Sequence, residues 1–311
     1  MVNLLEIATG LRFPEGPISM PDGSFLVVEI AAGCLTHISE NGTKTTIAKT
    51  GGGPNGAAIG PDGRCYICNN GGMQFFEKDG LLFPSLSEPK HPHGWIEAVN
   101  LSSGAIDILY TECNGKPLKG PNDIVFDQNG GMWFSDHGHT RRHDRDRGGI
   151  YYALIDGSFI TEALFPIDSP NGIGISPNGK RLYVTQTFSG RLWVFDIEGP
   201  GLLKREKSQV PWEYGHLVAS PDGYQLFDSL AIDCIGNICV GSIPGKIDVF
   251  SPKGKIVDRL KFPDTFPTNI CFGGSDLTTA YVTLSSTGKL VAFDWKQPGC
   301  PLYFLNTPSE T

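Results

Sequence analysis

A short phrase recurs six times along the 311 residues, and its spacing leaves few folds open to the chain. The first copy is FPEGPISMPDGSFLVVEI from Phe13. GPNGAAIGPDGRCYICNN follows from Gly53, GPNDIVFDQNGGMWFSD from Gly120 and SPNGIGISPNGKRLYVTQT from Ser169. Two degenerate copies, LFDSLAIDCIGNICVGS from Leu226 and FPTNICFGGSDLTTAYVTL from Phe266, complete the set. Each copy carries an acid or amide near its start: Glu15, Asn55, Asn122, Asn171, Asp228 and Asn269. A turn-forming cluster and then a strand-like run come after it.

The intervals between those positions are 40, 67, 49, 57 and 41 residues. A repeat of about 40–50 residues built from short strands marks a β-propeller, with one four-stranded antiparallel blade per repeat. The expected fold is therefore all-β: a six-bladed β-propeller around a central channel, a single domain over residues 1–311. The 40 glycines and 23 prolines, placed between short apolar runs, fit that class and not a helical one. In the first blade the spacing predicts strands at Pro17–Ser19, Ser24–Ile30, Cys34–Ser39 and Thr43–Ala48, with turns at 21–23 and at Asn41-Gly42. Either LLEIA near Met1 or Leu302–Leu305 is expected to close the last blade and remove its open edge.

In an antiparallel meander successive connections alternate between the two ends of a blade. The loop entering the inner strand and the loop joining strands two and three thus share one face. Three insertions are expected at that mouth: Gly71–Gly94, SDHGHTRRHDRDRGG over Ser135–Gly149, and the connection Val210–Gln225 with Trp212, Tyr214 and His216. Long loops gathered on one end of a rigid scaffold are where function tends to sit.

The acid and amide positions would form a ring about the axis. Glu15, Asp228 and one or more asparagines offer hard oxygen ligands and no sulfur, a set suited to Ca²⁺, Mg²⁺ or Mn²⁺. The plainer alternative is that Asn and Asp before Gly make turns and cap strand ends, which has most force for Asn55 and Asn269 and least for Glu15. His137, His139 and His143 alternate with Asp136, Asp144, Asp146 and four arginines. That irregular spacing reads as a solvated, salt-bridged lid, from which His137 or His139 can still reach a substrate. There is no GxSxG elbow for serine hydrolysis and no GxGxxG or P-loop after a strand.

Composition narrows the partners. A formal net charge of −8 argues against nucleic acid and anionic membrane surfaces. No stretch has the roughly 18 apolar residues of a membrane span, and MVNLLEIATGLRF has neither the basic nor the apolar region of a signal peptide. The eight cysteines include one CxxC, Cys65 and Cys68, inside a strand-like run where positions three apart face opposite sides. No second pair completes a zinc set, so they read as small buried hydrophobes of a reducing cytoplasm, the expected location. No protein partner or oligomer is indicated.

At FPEGP, PND, SPNGIGISPNGKRLYV and FDSLAIDCIGNICVG, in that order, the sequence resembles the gluconolactonase and senescence-marker-protein (regucalcin) family of six-bladed propellers, over essentially the whole chain. The resemblance implies one divalent cation at the top of the channel, Ca²⁺ foremost with Mg²⁺, Mn²⁺ or Zn²⁺ as alternatives. It implies Glu15, Asn171 and Asp228 as ligands, and Asn122, with its neighbour Asp123, on the substrate side. The implied reaction is hydrolysis of a lactone, a sugar lactone foremost, to its hydroxy acid, with Asp228 as candidate general base. Some family members carry an arginine two residues before the Asn122 position; here Gly120 stands there, beside Lys119, which alters the expected grip on a sugar. Two other readings stand beside this one. One is a propeller that binds a metal or ligand without catalysis; the other is an enzyme resembling strictosidine synthase or paraoxonase.

Overall fold

The computed structural model describes residues 3–205 and 214–307. Among them there is no helix, and six antiparallel sheets follow one another around an axis. Their inner strands are Pro14–Ser19, Pro54–Ile59, Pro121–Phe126, Pro170–Ile175, Leu226–Ile232 and Pro267–Gly273. In the first blade the strands run Pro14–Ser19, Phe25–Glu29, Cys34–Ile38 and Lys44–Ala48, so the inner strand begins three residues earlier than its turn chemistry suggests. The reason is a proline at the strand start, paired with Glu29 across the ladder, where its missing N–H costs nothing. The sixth blade takes its outermost strand from the other end of the chain. Leu5–Ala8 pairs with Lys289–Asp294, whereas Leu302–Leu305 adds no strand to it.

Each seam between neighbouring blades holds its own apolar cluster. Tyr66, Cys68 and Ile96 of blade two pack on Ile124, Phe126 and Phe134 of blade three; Ala8 and Leu290 of the last blade pack on Phe25 and Val27 of the first. The core is thus a ring of like interfaces, each burying large side chains worth about 1.5–3 kcal/mol apiece. Near the axis the packing is backbone on backbone. Gly16 has φ +50°, and a Cβ there would lie 2.7 Å from the Asn55 carbonyl of the next blade; a Cβ on Gly172 would meet the Leu230 nitrogen at 2.6 Å. The glycine that follows the acid or amide in EGP and NGI is therefore demanded by the neighbouring inner strand, and at Gly16 by its positive φ as well.

The insertions behave unequally. Within Gly71–Gly94 a two-stranded hairpin, Phe75–Lys78 with Leu81–Pro84, reaches past blade one to blade six. Leu82 N donates to Ser286 O at 3.0 Å, and Ser286 Oγ donates to Leu82 O at 2.9 Å. Phe75 and Phe83 pack on Phe13 and Phe266 with ring centroids 5.0 and 5.8 Å apart. Of the stretch Val210–Gln225, Trp212 lies outside the described residues. His216–Ala219 is not a loop but an outer strand paired with Arg191–Gly199 in blade four. Leu217 and Ala219 meet Trp193 and Leu192 there, so less of this stretch reaches the mouth than its sequence suggests.

Candidate active site

All six inner strands break register at the same place. The ladder slips between Glu15 and Ile18, Pro54 and Ala57, Pro121 and Ile124, Pro170 and Ile173, Phe227 and Leu230, and Pro267 and Asn269. A bulge re-aims a side chain without moving the strand, and here it turns one residue per blade towards the axis. Pro267 pairs with Leu284 as Pro121 pairs with Asp136. The residue equivalent to Glu15 and Asn122 in blade six is therefore Thr268, and Asn269 sits one step further on. That offset explains what Asn269 does. Its Nδ2 donates to Glu15 Oε2 at 2.8 Å and its Oδ1 accepts from Ile270 N at 2.8 Å, so it orients Glu15 while its own oxygen is turned to a backbone amide.

Glu15 is buried, with Oε2 also accepting from Gly16 N at 2.8 Å, while Oε1 has no hydrogen-bond partner among the described residues. Asn122 Oδ1 is likewise buried and unpartnered. Asn171 donates from Nδ2 to Thr187 Oγ1 at 3.1 Å, which leaves its Oδ1 with only a long contact of 3.5 Å from Ser229 Oγ. Asp228 is the half-buried acid of the ring. Burial and the charge of Glu15, with that of Asp123, hold its carboxyl well above the usual range. Glu15 is raised by burial.

Asp123 lies one step below the ring. Its carboxylate accepts from Ile124 N at 3.0 Å and Ile173 N at 3.3 Å, so at the seam between blades three and four a side chain bridges the inner strands where Gly16 and Gly172 lack one. Burial first, and the Glu15 charge second, push it up to about 7. Beneath it a cavity of about 310 Å³ continues along the axis, lined by Ile124, Ile173 and Phe272 and ending on Leu302 and Tyr303. The C-terminal segment thus covers the far end of the channel, held by a bridge between Asp233 and Gly299.

The lid is pinned from below by Asp136, whose carboxylate accepts from Lys119 N, Gly120 N and Gly138 N at 2.7, 2.7 and 3.0 Å. Asp136 ends the second strand of blade three. Glu29 and Asn69 hold the same place in blades one and two and likewise accept from entering-loop amides, Arg12 N and Gly53 N. His139 is held at Nε2, 2.7 Å from Asn70 O, and by its backbone N–H, which donates to Asp146 Oδ2 at 3.1 Å. Arg141 grips Asp146 and Asp144, as the charge pattern predicts for a salt-bridged loop. His137 is held only at Nδ1, 3.0 Å from Gly138 O, with its ring edge-on to Phe188, and burial lowers its pKa. It keeps a neutral ring with Nε2 available. The Lys119 side chain makes no hydrogen bond or ion pair among the described residues, so of the sequence-derived substrate contacts Asn122, His137 and Lys119 keep a free polar atom, while His139 Nε2 is engaged. Two elements could not be found from sequence: the aromatic clasp of Phe75 and Phe83, which looks like an ordinary loop, and the repeated bulge.

The eight cysteines are all free thiols, and Cys65 and Cys68 are wholly buried, with burial pushing Cys65 up to about 12. Neither contributes to the mouth. Among the described residues no three His, Cys, Asp or Glu side chains gather as a metal cluster, so any cation at the ring depends on asparagine oxygens as well as acids.

A six-bladed propeller with two acids and three amides, Asn55 of blade two among them, turned onto its axis at one mouth defines the class of protein. Comparison with known families gives the particular one. The model described as "SMP-30/Gluconolactonase/LRE-like region" matches residues 13–286, and the chain belongs to that family. A gluconolactonase of Zymomonas mobilis is 25% identical over 297 residues, covering 86% of this chain and 75% of that protein. The diisopropyl-fluorophosphatase of Loligo vulgaris is 27% identical, covering 93% and 91%. A lactonase drp35 of Staphylococcus saprophyticus is 28% identical, covering 83% and 72%. Among solved structures, a calcium-binding regucalcin of Agrobacterium tumefaciens superposes with a TM-score of 0.73 over 97% of this chain and 98% of that one, at 17% identity, a likeness of fold.

Proposed function

We propose that the chain is a lactone hydrolase that works with one divalent cation at the axial ring. The observation that carries this reading is the pair of orphaned buried oxygens, Glu15 Oε1 and Asn122 Oδ1, in a ring that already holds the acid of Asp228. A buried oxygen without a donor costs about 1–3 kcal/mol unless something electropositive meets it. Among the described residues no cationic side chain is paired with Glu15 or Asp228, and the repulsion among Glu15, Asp123 and Asp228 calls for positive charge from elsewhere. Hard oxygen donors fit Ca²⁺, Mg²⁺ or Mn²⁺. Glu15, Asn171 and Asp228 would hold the ion, with Asn122 beside it. The family membership and the lactonase and gluconolactonase names among the relatives support the same reading.

When bound, such an ion supplies Lewis acidity to a carbonyl oxygen and favours the charged form of the acids around it. The chain's own residues do the rest. Asn269 and Gly16 fix Glu15 so that Oε1 faces the axis. Asp228, half-buried and raised by burial and then by the charge of Glu15, takes the proton of the attacking water at a carboxylate oxygen. Thr187 holds the Asn171 amide with its oxygen inward. His137 offers Nε2 to the substrate from the lid, and the aromatic clasp forms the wall over blades six and one. The decisive experiment is a pH-indicator assay on aldono- and aliphatic lactones with chelator-stripped protein, then with each cation restored. Turnover that vanishes on stripping and returns with a cation is the expected result. Failure of every lactone with every metal refutes the reading.

A further inference from the structure

Away from the axial ring, between the outer strand of blade three and the third strand of blade four, a groove of about 380 Å³ opens on the rim. Its lining includes the apolar Leu164, Pro166 and Ile167 and the ring of Tyr214. Arg147 and Arg191 line it as well, both exposed and neither engaged in an ion pair among the described residues. The acid in the groove, Asp168, is already taken by Arg145 at 2.9 Å. Arg191 faces Gln186 across the ladder, which places its guanidinium beside a side-chain amide. The floor carries the second observation. Trp193 is 7% exposed, and its Nε1–H, buried, has no acceptor among the described residues. An indole donor left without a partner in a protein interior needs an acceptor brought from outside.

We propose that this groove binds a small amphipathic carboxylate, with its apolar body on Leu164, Pro166 and Ile167 and its carboxylate held between Arg147, Arg191 and the Trp193 N–H. Two guanidiniums and one neutral donor suit a two-oxygen anion, and the apolar wall rejects fully hydrated ones. The site does not depend on the lactonase reading. Its link to the ring is through the chain: Gln186, which lines the groove, precedes the Thr187 that holds Asn171.

The test is a titration of the whole protein with octanoate, read from the Trp193 indole N–H resonance, which is assigned by its absence in Trp193→Phe. Saturable downfield movement is expected, with acetate, lacking the body, and 1-octanol, lacking the charge, each binding at least about tenfold more weakly. Arg147→Gln with Arg191→Gln, both exposed positions, should weaken octanoate by at least about tenfold without loss of fold. Asp228→Asn should leave the Trp193 response unchanged. The proposal falls if octanoate gives no saturable response, if 1-octanol binds as well, if the double variant binds normally, or if Asp228→Asn abolishes the response and so places octanoate in the mouth.

Discussion

Glu15→Gln separates the charge of the ring from its shape. Gly16 N and Asn269 Nδ2 both donate to Oε2, so the glutamine must put its carbonyl there and its NH₂ in the place of Oε1. The packing survives, and the one oxygen turned to the axis becomes a donor. Two effects of opposite sign follow. In chelator the variant is more stable, because a buried repulsion is gone. Asp123, raised to about 7 from 3.8, carries a folding cost of about 4 kcal/mol at high pH, and the Glu15 charge is its second cause after burial. A share of about 1–2 kcal/mol is reasonable for Glu15, or roughly 2–4 °C in a chain of this size. Folding raises these carboxyls, so the folded state holds protons that the unfolded state has lost. Stability therefore declines as pH rises from about 4 through about 7. The advantage of Glu15→Gln should be near zero at pH 4 and complete by pH 8. With calcium at a hundredfold over its Kd, the parent should gain about 2.7 kcal/mol and the variant nothing. Thermal unfolding at both pH values, in chelator and in calcium, reads all of this. A variant less stable than the parent in chelator at pH 8, or one with an undiminished calcium shift, would refute the argument.

Other perturbations probe separate parts of the site. Asp228→Asn should lower lactone kcat/KM by about 10²–10⁴-fold with the fold kept, and parent-like turnover would remove Asp228 from the chemistry. Asp136→Ala strips the acceptor from three backbone amides and should cost about 3 kcal/mol or more, measured by urea unfolding, with Asp136→Asn recovering part of it. His137→Ala should shift the ranking of lactones by kcat/KM more than it shifts calcium affinity. His139→Ala should instead loosen the lid, seen as faster proteolysis near residues 140–147, since its Nε2 ties the lid to the Asn70 carbonyl of blade two.

The propeller was legible because its repeat is long, regular and rich in turn dipeptides, and because inner strands with closely packed backbones force glycine at fixed places. The ring was legible for the same reason in five blades. It failed in the sixth, where TNI offers an amide one residue past the bulge, so Thr268 holds the place and Asn269 became a support for Glu15. Patterning could not show it, because a bulge leaves no mark in residue types. The clasp was hidden for a different reason: Phe75 and Phe83 find their partners, Phe13 and Phe266, only after the ring has closed. The strand His216–Ala219 was obscured by the polar, irregular run that leads to it.

Closure of the ring has a bearing on how the site comes into being. Leu5–Ala8 joins Lys289–Asp294, and the bond from Asn269 to Glu15 crosses the same seam over 254 positions of sequence. Glu15 therefore acquires its aim only when the first and last blades meet. During synthesis the early blades can assemble in succession, yet the mouth remains without its oriented acid until the final repeat docks. Cation binding that draws on Glu15 then reports on completion of the circle, and a chain halted one blade short would carry most of the fold and the other ring residues but leave Glu15 without its Asn269 support.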